Sequence, residues 1–244
     1  MNVCYTASEI MKKTILAFAT IACLVLTAKA DYIIKEEVEH SGKVQPVSIK
    51  VKGTKIRIDL AGTNSVITDS TTGDMTLLVH GQKILVKVNA ELVKAQIQAL
   101  KGLTGQKSNP SGSGASAEVD LKPTGNHEQI DGYDTEEYTT EVNGVPTHLF
   151  IAKSYPDYQQ IVAAIYQIQN CPIFAEAHDL VIPPEKLPGL PLRTVHTING
   201  QKLVVNITST QETDLPDTDF SVPADYKELS VPGASKKDAG QSQK

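Results

Sequence analysis

Tryptophan is absent from this 244-residue sequence, and Phe, Trp and Tyr together make up only 5% of it. That leaves too few large rings for a base-stacking platform or an aromatic cage. A basic excess is also missing. The formal net charge is −5, so no positive field exists to gather nucleic acid or anionic lipid. Cysteine is scarce, at three residues, and long apolar runs occur only near the N-terminus. Nothing after that run approaches the roughly 18 apolar residues of a spanning helix. A stable transmembrane span and a nucleic-acid partner are therefore not expected.

What is present begins with an address. Lys12 and Lys13 precede the uncharged run Thr14 to Thr27, and Ala28-Lys29-Ala30 follows with small residues. This is the order of a secretory signal peptide spanning residues 1–30, cleaved after Ala30. The alternatives are an uncleaved N-terminal anchor and acylation at Cys23, for which Thr20-Ile21-Ala22 is a poor lipobox. The expected location is periplasmic or extracellular. Cleavage removes three of the 23 basic residues and one of the 28 acidic ones, so the exported chain is the more acidic. It also removes Cys4 and Cys23. Cys171 is left alone, which excludes an internal disulfide. It sits in Asn170-Cys171-Pro172 without a nearby His and reads as an idle or buried thiol.

From Asp31 the sequence alternates with a period of two. Val47, Ile49 and Val51 interleave with Ser48, Lys50 and Lys52; Ile56, Ile58 and Leu60 with Lys55, Arg57 and Asp59. One apolar and one polar face describe half-buried antiparallel strands. Gly42, Gly53, Gly62, Gly73 and Gly81 punctuate them as hairpin turns. The pattern predicts strands over about 31–40, 44–52, 54–60, 64–70, 74–80 and 82–89, then 118–130, 132–142, 145–153, 190–199 and 201–213. Asn143-Gly144 and Asn199-Gly200 are strong hairpin signals.

Two segments change to helical period. Residues 90–103 place Val93, Ile97 and Leu100 on one face, and residues 155–170 place Ile161, Ile165 and Ile168 on one face. Ser154 and Asp157 have capping-box spacing for the second helix. Residues 104–117 read as a flexible loop, 172–191 as short helix and loop, 219–229 as a docked strand or turn, and 230–244 as a disordered tail. The fold class is mainly β with two helical segments (α+β): an unclosed antiparallel β-barrel of about eleven strands with a helical lid, forming a single domain over 31–229.

A sheet of this size encloses more space than its own side chains fill. Either the two helices complete a plain core, or Val93, Ile97, Leu100, Ile161, Ile165 and Ile168 line a pocket for an apolar ligand. Burial of apolar area, at roughly 25 cal/mol per Å², supports both arrangements. Certain phrases carry a family resemblance. They are Lys52-Gly53-Thr54-Lys55-Ile56-Arg57, Ile130-Asp131-Gly132-Tyr133, Leu187-Pro188-Gly189-Leu190-Pro191-Leu192-Arg193 and Phe220-Ser221-Val222-Pro223-Ala224-Asp225-Tyr226. With the signal peptide and meander, they resemble a family of exported bacterial domains without an assigned function. That family is similar to the LolA/LolB/LppX superfamily of periplasmic lipoprotein and lipid carriers. The resemblance covers nearly all of residues 31–229 and implies an unclosed barrel over an apolar cavity. No Arg of this chain is matched to the lid-controlling Arg of LolA-type carriers.

Catalytic and metal motifs are weak. No two of His40, His80, His127, His148, His178 and His196 have ligand spacing. Glu176-Ala177-His178-Asp179 lacks the partners of a four-ligand site. Ser111-Gly112-Ser113-Gly114 has no nucleophile-elbow frame, and Gln106 interrupts the Gly105–Lys107 echo of a phosphate loop. The paired carboxylates Glu136-Glu137 and Asp131/Asp134 read as a solvated strand face. No cofactor, metal or catalytic residue is expected. The leading expectation is an exported protein that holds a lipid, acyl chain or other apolar ligand under a helical lid. The alternative is a non-catalytic structural or interaction module that docks an envelope protein. An enzyme ranks third.

Overall fold

The computed structural model describes residues 30–89, 119–142, 144–169 and 182–229. The segments expected as signal peptide (1–30, apart from Ala30), first helix (90–103, with Val93, Ile97 and Leu100), loop (104–117) and tail (230–244), together with Cys171 and Glu176–Asp179, lie outside the described residues.

The alternating segments form a continuous meander: β1 (Tyr32–His40), β2 (Lys43–Lys52), β3 (Lys55–Leu60), β4 (Asn64–Asp69), β5 (Met75–Val79) and β6 (Ile84–Val88). A second run holds β7 (Lys122–Ile130), β8 (Tyr133–Val142) and β9 (Val145–Ala152). The helix α1 (Tyr158–Gln169) follows, then β10 (Leu190–Ile198), β11 (Gln201–Glu212) and the two-residue β12 (Lys227–Glu228). The turn chemistry explains the tight connections. Ile198 faces Gln201 across Asn199-Gly200. Both turn residues are left-handed, at φ 51° and 77°, as the two-residue turn that matches strand twist requires.

All twelve strands belong to one sheet, in the order β12-β6-β5-β4-β3-β2-β1-β11-β10-β9-β8-β7. The ends of that order do not pair, so the barrel is unclosed. The join between the two runs is β1 against β11, the first and last long strands. The described residues hold the eleven expected strands, and the twelfth, β12, falls in the segment 219–229 expected as a docked strand or turn. One detail differs from the sequence reading: β12 lies parallel to β6 in an otherwise antiparallel sheet. The chain reaches that edge by crossing the sheet, which reverses its direction relative to a hairpin return.

One face of the sheet carries the main core. Tyr32 and Ile34 of β1, Ile49 and Val51 of β2 and Ile56 of β3 pack with Leu190 and Leu192 of β10 and Ile207 of β11. Helix α1 lies across this face, with Ile161, Val162, Ala164 and Ile168 buried. Each large aliphatic side chain so buried contributes roughly 2 kcal/mol. The helix begins later than the Ser154–Asp157 spacing suggests. Asp157 adopts φ 50°, so it cannot be the third residue of a helix. Its carbonyl instead accepts the first N–H groups, from Gln160 at 3.1 Å and Ile161 at 3.3 Å.

The opposite face is closed by the C-terminal segment. Leu215 and Phe220 are buried there. Lys50 pairs with Asp219 at 2.8 Å and Lys83 with Asp225 at 2.7 Å. The first pair is partly buried and the second exposed, and pairs reached by solvent add little, so the buried apolar anchors hold the segment down and the charges set its register.

Candidate functional site

Beneath α1, between the helix and the sheet, is a cavity of about 120 Å³. The helix supplies Val162, Ile165 and Tyr166, at i, i+3 and i+4 on one face. The sheet supplies Glu36 from β1, Val205 and Ile207 from β11, Pro191, Thr194 and His196 from β10, and Leu149 from β9; Ile182 and Leu187 close one side. The walls are mainly aliphatic, with a small number of polar groups among them. A ligand site has that composition. On the other flank of α1 a groove of about 530 Å³ runs past Tyr32, Val51, Gln160, Ala163, Ala164 and Gln167.

Of the six sequence-predicted site residues, the three in the described residues divide between core and cavity, while Val93, Ile97 and Leu100 lie outside them. Ile165 borders the cavity. Ile161 and Ile168 are packed into the core at 3% and 8% exposure. The cavity residues that periodicity did not single out include Glu36 and His196, and each had a signal. Tyr32, Ile34 and Val38 of β1 share one parity, and Glu36 falls at the same parity, facing Val47 and Ile207. A carboxylate in an inward strand position is a departure from the pattern and marks a site. Likewise Thr194 and His196 extend the inward row of β10.

Burial acts on these groups in opposite chemical senses. With desolvation as its cause, the Glu36 carboxyl is pushed up to about 7 from 4.5, because an apolar wall disfavours the charged form. Among the described residues no donor reaches its carboxyl oxygens. His196 is shifted down from its ordinary value, again by desolvation, and its Nδ1 lies 3.0 Å from Thr147 Oγ1. The site thus holds a neutral imidazole and a carboxyl that is partly protonated at neutral pH. A bulge on the neighbouring strand lies opposite this position. Lys35 opposes Ser209 but Glu36 opposes Ile207, which leaves Thr208 as the extra residue of β11. Such a bulge bends the strand that carries it, here β11, while Glu36 keeps the inward parity of β1.

A second polar cluster lies on the far face. Ser65 Oγ donates to Asp59 at 2.5 Å and lies 2.6 Å from His80 Nε2, whose Nδ1 is 2.5 Å from the Tyr226 hydroxyl. Arg57 bonds Asp59 at 2.8 Å, Ser65 at 3.1 Å and the Asp219 carbonyl at 3.0 Å. In a nucleophile triad the carboxylate orients the imidazole. Here it binds the serine instead, and tyrosine holds the histidine. Ser65 is also fully buried. The cluster ties the C-terminal segment to β3 and β4. Among the described residues no group of three or more His, Cys, Asp or Glu side chains gathers to hold a metal ion. No helix of the described residues is long and apolar enough to cross a membrane.

The family model DUF4412, a domain of unknown function, matches residues 34–226. The chain belongs to the DUF4412 family. The match runs from β1 to Tyr226, so it includes the residues that line the cavity and the C-terminal segment up to Tyr226. The backbone of this DUF4412 domain also resembles several solved structures. LppX, a lipoprotein of Mycobacterium tuberculosis, is 11% identical with a TM-score of 0.39, covering 83% of this chain and 98% of that one. The LolA superfamily protein NE2245 from Nitrosomonas europaea is 12% identical with a TM-score of 0.32, covering 89% and 98%. PNGF-II is 14% identical with a TM-score of 0.36, covering 83% of this chain and 31% of that one. The DUF4412 chain thus spans about a third of the PNGF-II chain. No curated protein matches it in sequence. The strand order and register described above carry the fold assignment by themselves.

Proposed function

We propose that this DUF4412 domain is an exported binding protein that holds an apolar molecule, a lipid or acyl chain, between α1 and the inner face of the sheet. Residues 31–229 act as one domain and α1 is its lid. The observation that supports this most is the aliphatic cavity under α1, which retains about 120 Å³ of space where a closed core would interdigitate. The volume is close to that of an engineered apolar cavity that binds benzene, about 150 Å³. It takes a short or branched apolar group as it stands, and a longer chain once α1 shifts toward the groove on its other flank. Each buried methylene contributes about 0.8 kcal/mol, so six contribute about 5 kcal/mol, enough for binding somewhat tighter than about 1 mM.

Native mass spectrometry of the exported protein, followed by solvent extraction, tests this reading. The expected result is a bound apolar species that is lost in the Ile165→Trp variant, whose indole occupies the cavity. An unliganded protein that also takes up no added aliphatic compound rejects it.

A further inference from the structure

We propose that the cavity under α1 selects an alkyl amphiphile whose head group donates a hydrogen bond to Glu36, an amine or a hydroxyl, and discriminates against the matching carboxylate. This deepens the binding reading above and rests on it.

The geometry supplies the argument. A plain apolar pocket needs no carboxyl group, and one that is half-buried against apolar walls gives up part of its hydration at a cost unless a partner replaces it. Glu36 occupies an inward position of β1 whose strand neighbours on both sides, Val47 and Ile207, are aliphatic. No donor of the described chain reaches its oxygens, although donors are plentiful elsewhere. Lys35 precedes it, and on the far face Lys50, Lys55, Lys83 and Lys87 each pair with a carboxylate. The β11 bulge is placed at this residue, with Thr208 Oγ1 donating to the Lys35 carbonyl at 3.2 Å. The carboxyl is therefore held in the cavity by backbone register, while its hydrogen bonds remain to be made by something else.

The surroundings define what that something is. An incoming amine or hydroxyl replaces the missing donor. A carboxylate head instead brings a second negative group into the same low-dielectric space, where like charges repel strongly. His196 stands in the same cavity. Its Nδ1 is engaged by Thr147, so it offers its other ring nitrogen as a secondary hydrogen-bonding group. A charge-assisted hydrogen bond is worth enough to separate the head groups by about tenfold or more.

The test is calorimetric titration of the exported protein at pH 8 with hexylamine, 1-hexanol and hexanoate, three probes with a common chain. Wild type, Glu36→Gln, Glu36→Leu and Ile165→Trp are compared, with cooperative unfolding confirmed for each. The expected order for wild type is hexylamine, then hexanol, then hexanoate, with about tenfold or more between first and last. In Glu36→Gln and Glu36→Leu the spread contracts to about twofold while hexanol still binds. If wild type binds all three equally, or both Glu36 variants keep the wild-type order, head-group selection by Glu36 is overturned and the cavity reading stands. If no probe binds, or Ile165→Trp binds as wild type does, the cavity reading fails and takes this proposal with it.

Discussion

Replacing Glu36 by Gln should change how stability depends on pH, and the structure gives the sign and size. The carboxyl lies among Val47, Ile207, Val205 and Ile165, with Tyr166 of α1 and His196 of β10 as the titratable groups bordering the same cavity. Its folded-state value is about 7, against 4.5 for a free glutamate. The native state therefore binds this proton more tightly than the unfolded state. Stability from this source is complete below about pH 4.5, declines as pH rises, and levels off above about 7. The whole decline is on the order of 3 kcal/mol, of which about 2 kcal/mol falls between pH 5.5 and 8. Glutamine has no proton to lose. Urea unfolding of both proteins at pH 5.5 and 8 should show wild type losing about 2 kcal/mol more than the variant over that interval. The comparison cancels the other titrating groups, including His196, whose contribution runs the opposite way. Equal slopes in the two proteins would mean that the Glu36 carboxyl is solvated, and the reasoning about the cavity would be wrong.

Other consequences follow from particular contacts. The His196 imidazole should titrate below its ordinary value of 6.5 in a histidine NMR titration, since its charged form is desolvated; stability from this group is present above about pH 6.5 and is lost as pH falls. Gly189→Ala should destabilise the fold by about 1–3 kcal/mol in denaturant unfolding, because a Cβ there would sit 2.7 Å from the Ala152 carbonyl carbon and the Lys153 Cα. Arg57→Ala removes bonds to Asp59, Ser65 and the Asp219 carbonyl and should cost about 2 kcal/mol, with faster amide exchange in residues 217–228. Ile165→Trp should leave the melting temperature within a few degrees of wild type or raise it, because the added bulk enters existing space.

Much of the fold is legible in the sequence because half-buried antiparallel strands announce themselves by a period of two. Ile49 and Val51 against Ser48 and Lys50 give both a strand and the face it buries. Asn199-Gly200 gives its hairpin because only the left-handed turn connects such strands. The pairing of β1 with β11 is not local, and nothing in either strand names its partner. The start of α1 is not legible in the sequence, because Ser154–Asp157 has the spacing of a cap while the left-handed conformation of Asp157 is a tertiary outcome. The C-terminal clasp was half visible. Asp217, Asp219, Asp225 and Glu228 alternate with apolar anchors, and Lys50, Lys55, Lys83 and Lys87 await them on the polar strand face. The candidate site was the least legible part. Periodicity selects Ile161 and Ile168 as readily as Ile165, and only packing separates a filled contact from a cavity wall. Glu36 was readable as a break in an apolar row, provided that the row was first assigned to the inner face.

The central claim is that an apolar ligand occupies the space under α1. Isoleucine-methyl NMR of the exported protein during titration with 1-hexanol tests it most directly. Saturable shifts are expected at Ile165, Ile182 and Ile207, which line the cavity, and none at Ile67 or at the exposed Ile198. Absent shifts, or shifts that grow without saturation and favour Ile198, would contradict it.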